Sequence, residues 1–224
     1  MRAVNYIRYF FYIGLNWTAR LAFFTLYHEI RGESRYHLNT TGINDLKKLT
    51  LKGRYRKQAE VYQGANYLMV EMIFQQLRSL GVNQSIVDFG CGKGRVLIVA
   101  AHYGFTDITG VEFARELWED AMRNINALKA RHPSARFRVL YENAVDYQVE
   151  DHTQVFFFFN PFQEPVMKKV IEHILRSYRQ SRRPIYIMYV NPQLKNLFLQ
   201  EGFREIGYVR KMEYVEASLL LLDK

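Results

Sequence analysis

Asp88, Gly90, Gly92 and Gly94 are the residues whose types and spacing best fit a chemical task in this chain of 224 residues. The apolar pair Ile86-Val87 precedes them and reads as the end of a buried strand, and Val96 to Ala101 reads as the start of a helix. Glycine has no Cβ, so it accepts positive φ and lets backbone approach a ligand closely. A strand–glycine loop–helix unit also aims the N-terminal amides of the helix at whatever sits there. The loop reads G-x-G-x-G, and Arg95 stands where the third glycine of a dinucleotide fingerprint would be. An acid two residues before Gly90 would repel a pyrophosphate and attract a cationic amino group or a sulfonium. Cys91 lies inside the loop, where a small residue fits, and no His or acid is evidently paired with it as in a thiol nucleophile.

These residues need a scaffold, and from Ser85 the chain alternates strand and helix, as in a parallel sheet with covering helices. Strands are predicted near 85–89, 106–111, 136–141, 153–159 and 185–190, and helices near 93–103, 113–131, 163–179 and 192–201. A final antiparallel pair follows at about 203–211 and 213–222. Glu112 would end the second strand, roughly 20 residues past the glycine loop, where a carboxylate can accept ribose hydroxyls or cap a helix. The fourth strand carries four consecutive phenylalanines, Phe156 to Phe159, as suits burial on both faces. It ends in Asn160-Pro161-Phe162, and a second Asn-Pro step, Asn191-Pro192, reads first as a helix cap and second as a substrate contact.

The loop from Asp88 to Gly94, together with Glu112, resembles motif I of the class I S-adenosylmethionine (SAM)-dependent methyltransferases. The likeness covers about Tyr62 to Lys224. It implies an α/β, Rossmann-like methyltransferase fold: a mostly parallel seven-stranded sheet with a terminal antiparallel hairpin, here with an N-terminal helical extension. It implies SAM as cofactor, with Asp88, Gly90, Cys91, Gly92 and Gly94 around the methionine end and Glu112 at the ribose. Asn143 and Ala144 would lie beside the adenine, although Asn143 also reads as a turn residue bonding its own backbone. Asn160-Pro161-Phe162 looks like the Asn-Pro-Pro-aromatic motif of class I enzymes that methylate exocyclic amines and amides. Asn160 and Phe162 would then position a nitrogen nucleophile of a protein side chain or nucleic acid, with Pro161 at the substrate. The second proline of that motif is missing. Tyr62 and Gln63 precede the glycine-loop strand, a segment that often covers the SAM pocket in similar enzymes, so Tyr62 is a substrate candidate.

Residues 1–61 differ from this domain, which is predicted over 62–224. Tyr6 to His28 is densely aromatic, and Asn5, Arg8, Asn16 and Arg20 fall near one helical stripe, so the stretch reads as an amphipathic helix. It would serve as a cap on the domain, a homodimer contact, or an anchor peripheral to a membrane surface. A basic cluster, Lys47 to Lys57, follows. The formal net charge is +9. That favours an anionic partner: nucleic acid, acidic protein or a membrane surface. One cysteine allows no internal disulfide and points to the cytoplasm, and the six histidines show no metal-ligand spacing. The reading from another class is a non-catalytic SAM-binding or membrane-associated module.

Overall fold

The computed structural model describes residues 2–42, 44–45, 61–160, 162–213 and 215–224. The basic cluster at 47–57 and Pro161 lie outside these residues, as does the side chain of Tyr62. Two helices come first, α1 (Arg2–Asn16) and α2 (Ala19–Tyr36). The chain then forms a two-residue antiparallel ladder, β1 (Asn44–Asp45) with β2 (Val61–Tyr62). Helix α3 (Tyr67–Ser79) leads into β3 (Ser85–Phe89), α4 (Arg95–His102), β4 (Asp107–Glu112), α5 (Arg115–Leu128) and β5 (Arg136–Tyr141). The second half is β6 (Val155–Phe159), α6 (Glu164–Gln180), β7 (Ile185–Val190), α7 (Lys195–Gln200), β8 (Arg204–Met212) and β9 (Val215–Leu222).

The main sheet has the order β5-β4-β3-β6-β7-β9-β8. The strands from β5 to β7 pair in parallel, and β9 inserts antiparallel between β7 and β8. This is the predicted seven-stranded α/β architecture with its terminal hairpin. The central strands β3, β6 and β7 are apolar and almost wholly buried, because helices cover both faces. One face packs Ile86, Val155 and Phe157 under α3 and α4. The other packs Val87, Phe156 and Phe158 under α6. The parallel strands therefore end together at one edge of the sheet, where the loops that could bind a ligand emerge.

The aromatic N-terminus is two helices rather than the single one expected. Thr18 interrupts it in extended backbone (φ −140°), and its hydroxyl accepts the Leu21 N–H at 3.1 Å, a cap that starts α2. Helix α2 runs on through 31–36, past the aromatic stretch that ends at His28. Its inner face carries Ala22, Thr25, Glu29, Gly32, Glu33 and Tyr36 at helical spacing, all buried. Packing on α3 prolongs the helix past its apolar stretch.

Candidate functional site

After β3 the backbone passes through Gly90 (φ 75°), Gly92 (φ 54°) and Gly94 (φ 80°), all left-handed. A side chain at these positions would be strained, which is why the loop needs three glycines. The N–H groups of Gly90 and Cys91 donate to the Val111 carbonyl at 2.9 and 3.1 Å, and the Gly94 N–H donates to the Cys91 carbonyl at 2.9 Å. Cys91 packs over Gly110, where a Cβ would come within 2.7 Å of its Sγ. Burial, with the charges of Asp88 and Glu112, pushes the Cys91 thiol well up. It is a packing residue, and a thiolate does not form there.

Asp88 and Glu112 are each 3% exposed. The Glu112 carboxylate accepts the Gly92 N–H and the Ala114 N–H, both at 2.8 Å, so it braces the glycine loop. Burial nevertheless pushes its pKa up to about 7, against the pull of these amides. Burial first, and then the charge of Glu112, hold the Asp88 carboxyl well above the usual carboxylate range. Two buried acids coupled through their charges make a place that a cation or hydroxyl donors would relieve. At the end of β5, the Asn143 side-chain oxygen accepts the Val145 N–H at 3.2 Å, the turn reading of that residue, with Ala144 buried beside it.

Asn160 (φ 40°) and Asn191 (φ 50°) end β6 and β7 in left-handed backbone, a conformation asparagine tolerates better than most residues. The register pairs Phe159 with Val190, so Asn160 and Asn191 follow adjacent strand ends. The expectation that Asn191 caps a helix is corrected here. Helix α7 starts at Lys195 with Leu194 at its N-cap, and the Lys195 N–H donates to the Pro192 carbonyl at 3.2 Å. A two-residue motif reads the same at a strand corner as at a helix start, and only the turn of 192–194 separates them.

Phe159, Val190 and Asn191 form part of a cleft of about 280 Å³. The helical hairpin supplies its other wall with Tyr9, Ile13, Trp17, Leu21 and Thr25, and Gln63 and Gln193 add amides. Among the described residues no charged side chain lines it. The Gln63 side-chain amide donates to the Tyr9 hydroxyl at 2.8 Å. Burial, then the charge of Glu29, pushes Tyr9 far up, so it keeps its proton. Phe162 is elsewhere: its ring meets Phe89 edge-on at 6.3 Å and packs with the α6-side core, and it is not among the residues lining the cleft.

Arg95 ties the hairpin to the glycine-loop helix. It is 3% exposed and forms a two-pronged pair with Glu29, Nη1 to Oε1 at 2.9 Å and Nη2 to Oε2 at 2.6 Å. It also donates to the Ala65 carbonyl at 2.6 Å and the Thr40 hydroxyl at 2.9 Å, and lies 4.0 Å over the Tyr67 ring. Gly64 leaves room for it, since a Cβ there would fall 2.7 Å from the guanidinium carbon. Sequence reasoning marked Arg95 only as a missing glycine. Its partner lies 66 residues upstream, and the one available signal was that Glu29 is the first acid in the chain.

Away from this edge, at the start of β4, Asp107, Glu150 and His152 come within 4.8 Å of one another. Arg136 pairs with Asp107, and Arg138 pairs with Asp107 and Glu150, so ion pairs account for the cluster. Arg183 donates to the Thr153 and Ser181 carbonyls, both at 2.7 Å, and serves the fold.

Residues 86–181 match a family model described as a methyltransferase domain. No curated protein matches the chain. Solved structures resemble it in fold. Magnesium protoporphyrin IX methyltransferase from Synechocystis, crystallised with bound SAM, has a TM-score of 0.54 at 14% identity, over 70% of this chain and 79% of that one. A putative RNA methyltransferase from Pyrococcus horikoshii gives 0.54 at 16% identity, over 80% and 95%. A putative methyltransferase from Escherichia coli gives 0.53 at 16%, over 82% and 99%.

Proposed function

We propose, for a chain whose residues 86–181 form a methyltransferase domain on the class I SAM-dependent fold, that the protein moves the SAM methyl group to an uncharged nitrogen nucleophile held in the cleft beneath the hairpin. The observation that carries this reading is the pairing of two buried acids at the glycine loop with an uncharged cleft. Asp88 and Glu112 lie buried behind the glycine loop, and the ends of β6 and β7 open on a cleft without charged side chains among the described residues.

The residues present fit SAM. Two acids with raised pKa values lie behind the loop, which suits a cationic amino acid end and a ribose. Asp88 and the loop amides would hold the methionine end, Glu112 the ribose, and Asn143 with Ala144 the adenine. SAM supplies a methyl group activated by its sulfonium. Gln63, Asn191 and Gln193 offer the acceptor neutral donors and acceptors at the cleft wall. Asn160, one residue past Phe159, would orient the target nitrogen from the neighbouring strand end. Methyl transfer depends mainly on holding nucleophile, methyl and leaving group in line. A protonated amine cannot attack, and Tyr9 retains its proton. The cleft therefore favours a nitrogen that needs no prior deprotonation by the protein, such as an amide or an exocyclic base amine.

Calorimetric titration with SAM, S-adenosylhomocysteine and NAD tests the cofactor. Saturable binding of the first two with NAD silent is expected, and silence from both SAM and its product would sink the reading. Asn160→Gly and Asn191→Gly keep the positive φ that each site needs and remove the amide. Both should hold SAM affinity within about twofold while lowering turnover about tenfold or more on an amide- or base-containing acceptor. Undiminished turnover in both would remove the strand-end asparagines from acceptor positioning.

A further inference from the structure

We propose that the α1–α2 hairpin is a docking surface for an anionic lipid bilayer. The hairpin has two unlike faces. Its inner face carries Tyr9, Ile13, Leu21 and Thr25, which are buried against the domain. Its outer face carries Ile7, Phe11 and Leu15 on α1 and Phe23, Tyr27 and Ile30 on α2, each 45% to 84% exposed. Their spacings of three and four residues draw one continuous stripe along each helix. Among the described residues eleven large hydrophobics are exposed, and eight of them lie between Val4 and Ile30. Exposed apolar side chains scattered singly need no explanation, but a concentration of this kind marks a contact surface.

Charge decides what the surface meets. The acids of the hairpin, Glu29 and Glu33, are each 1% exposed and turned inward. Glu29 answers Arg95, and Glu33 takes the Thr40 and Thr41 backbone N–H groups at 2.6 and 2.5 Å. Among the described side chains, the exposed ionic ones of α1 and α2 are therefore all cations: Arg8, Arg20, Arg31 and Arg35. Arg31 and Arg35 share a single acid, Glu71. A second copy seated on this face by two-fold symmetry would bring like charges together, with no exposed acid on either hairpin to answer them. An anionic headgroup layer answers Arg8 and Arg20 and adds to the single acid that Arg31 and Arg35 share. No helix among the described residues is long and apolar enough to cross a membrane, so the hairpin would lie in the interface. Aromatic side chains suit the headgroup level, apolar on the ring and wet at the tip. The inference does not depend on the reaction proposed above, although the inner face of the same hairpin walls the acceptor cleft.

The test is co-sedimentation of the full chain with phosphatidylcholine vesicles, with and without phosphatidylglycerol. Sedimentation only with the anionic vesicles, reversed by salt, is expected. Two variant sets separate the contributions: Phe11→Ser with Leu15→Ser and Phe23→Ser, and Arg8→Gln with Arg20→Gln. Each should lower partitioning about tenfold or more while the far-ultraviolet circular dichroism stays unchanged. Three results would overturn the proposal. One is failure of the folded wild type to sediment with anionic vesicles. Another is vesicle binding that ignores the arginines and salt. The third is a wild-type dimer, in sedimentation velocity, that the serine variants convert to monomer.

Discussion

The glycine loop and the helical hairpin above it meet at Arg95, yet they are held by opposite means. Hydrogen bonds of the loop join backbone to backbone over a few residues or to the adjacent strand end, as from Gly90 and Cys91 to Val111. The Glu112 carboxylate adds a brace at Gly92, and otherwise the loop's conformation follows from where glycine is placed. The hairpin is held by buried polar side chains that reach far along the chain. Glu29 meets Arg95 across 66 residues, and Glu71 takes Arg31 across 40 and the Tyr36 hydroxyl across 35. A loop of this kind is robust in shape and sensitive in binding. A hairpin of the other kind should lose stability at single positions, since a broken buried pair leaves a charge without an answer.

Arg95→Ala should break the contrast most severely. It leaves Glu29 buried beside the carboxylate of Glu33, and the expected loss is about 3 to 5 kcal/mol in urea unfolding. The double change Glu29→Leu with Arg95→Leu should cost less than the single one, because no charge is left behind. A double variant weaker than Arg95→Ala would refute the claim that the pair is what matters.

Asp88→Asn should act on the other region, and on binding. Losing the buried charge is expected to weaken SAM binding about a hundredfold, roughly 2.7 kcal/mol. Stability without ligand should hold or rise, because burial already disfavours the Asp88 carboxylate. Unfolding and calorimetry on the same sample would show whether the two effects separate.

Gly32→Ala sharpens the comparison at a smaller scale. A Cβ there would lie 2.2 Å from the ring of the buried Tyr67. Overpacking costs about 1 to 3 kcal/mol. Replacing a helical glycine returns about 1 kcal/mol. A net loss of up to about 2 kcal/mol is expected. A stabilised variant would show that α2 can shift on α3.

The smallest effect is on pH. Glu112 rises to about 7 on folding, and Asp88 rises too. For an acid raised by folding, the stabilising contribution is complete in the ordinary carboxylate range and lost as pH climbs through the folded value. The free protein should therefore melt lower at about pH 8 than at about pH 6. SAM favours the ionised acids, so its affinity should climb over that interval, by at most about tenfold per pH unit for one proton. Glu112→Gln should flatten the climb near neutrality.

Local pattern was enough to read most of the sheet. β3, β5 and β7 fall on the predicted residues: β7 is an apolar run, β3 is apolar but for Ser85 and Asp88, and β5 alternates Arg136 and Arg138 with Phe137 and Val139. The second helix of the alternating stretch, α5, ends earlier than expected, at Leu128, with a 3-10 turn over Lys129–Arg131. The glycine loop and its two acids were legible for the same reason: backbone conformation there is a property of residue type and close spacing. The twin asparagine corners were half legible, as Asn160 and Asn191 become neighbours only once β6 pairs with β7. The cleft, the inward turn of Glu29 and Glu33, and the anchoring by Arg95 had no local signature. Each depends on which side chains the fold brings within about 3 Å of one another from opposite ends of the chain, and that proximity follows from packing rather than from period or motif.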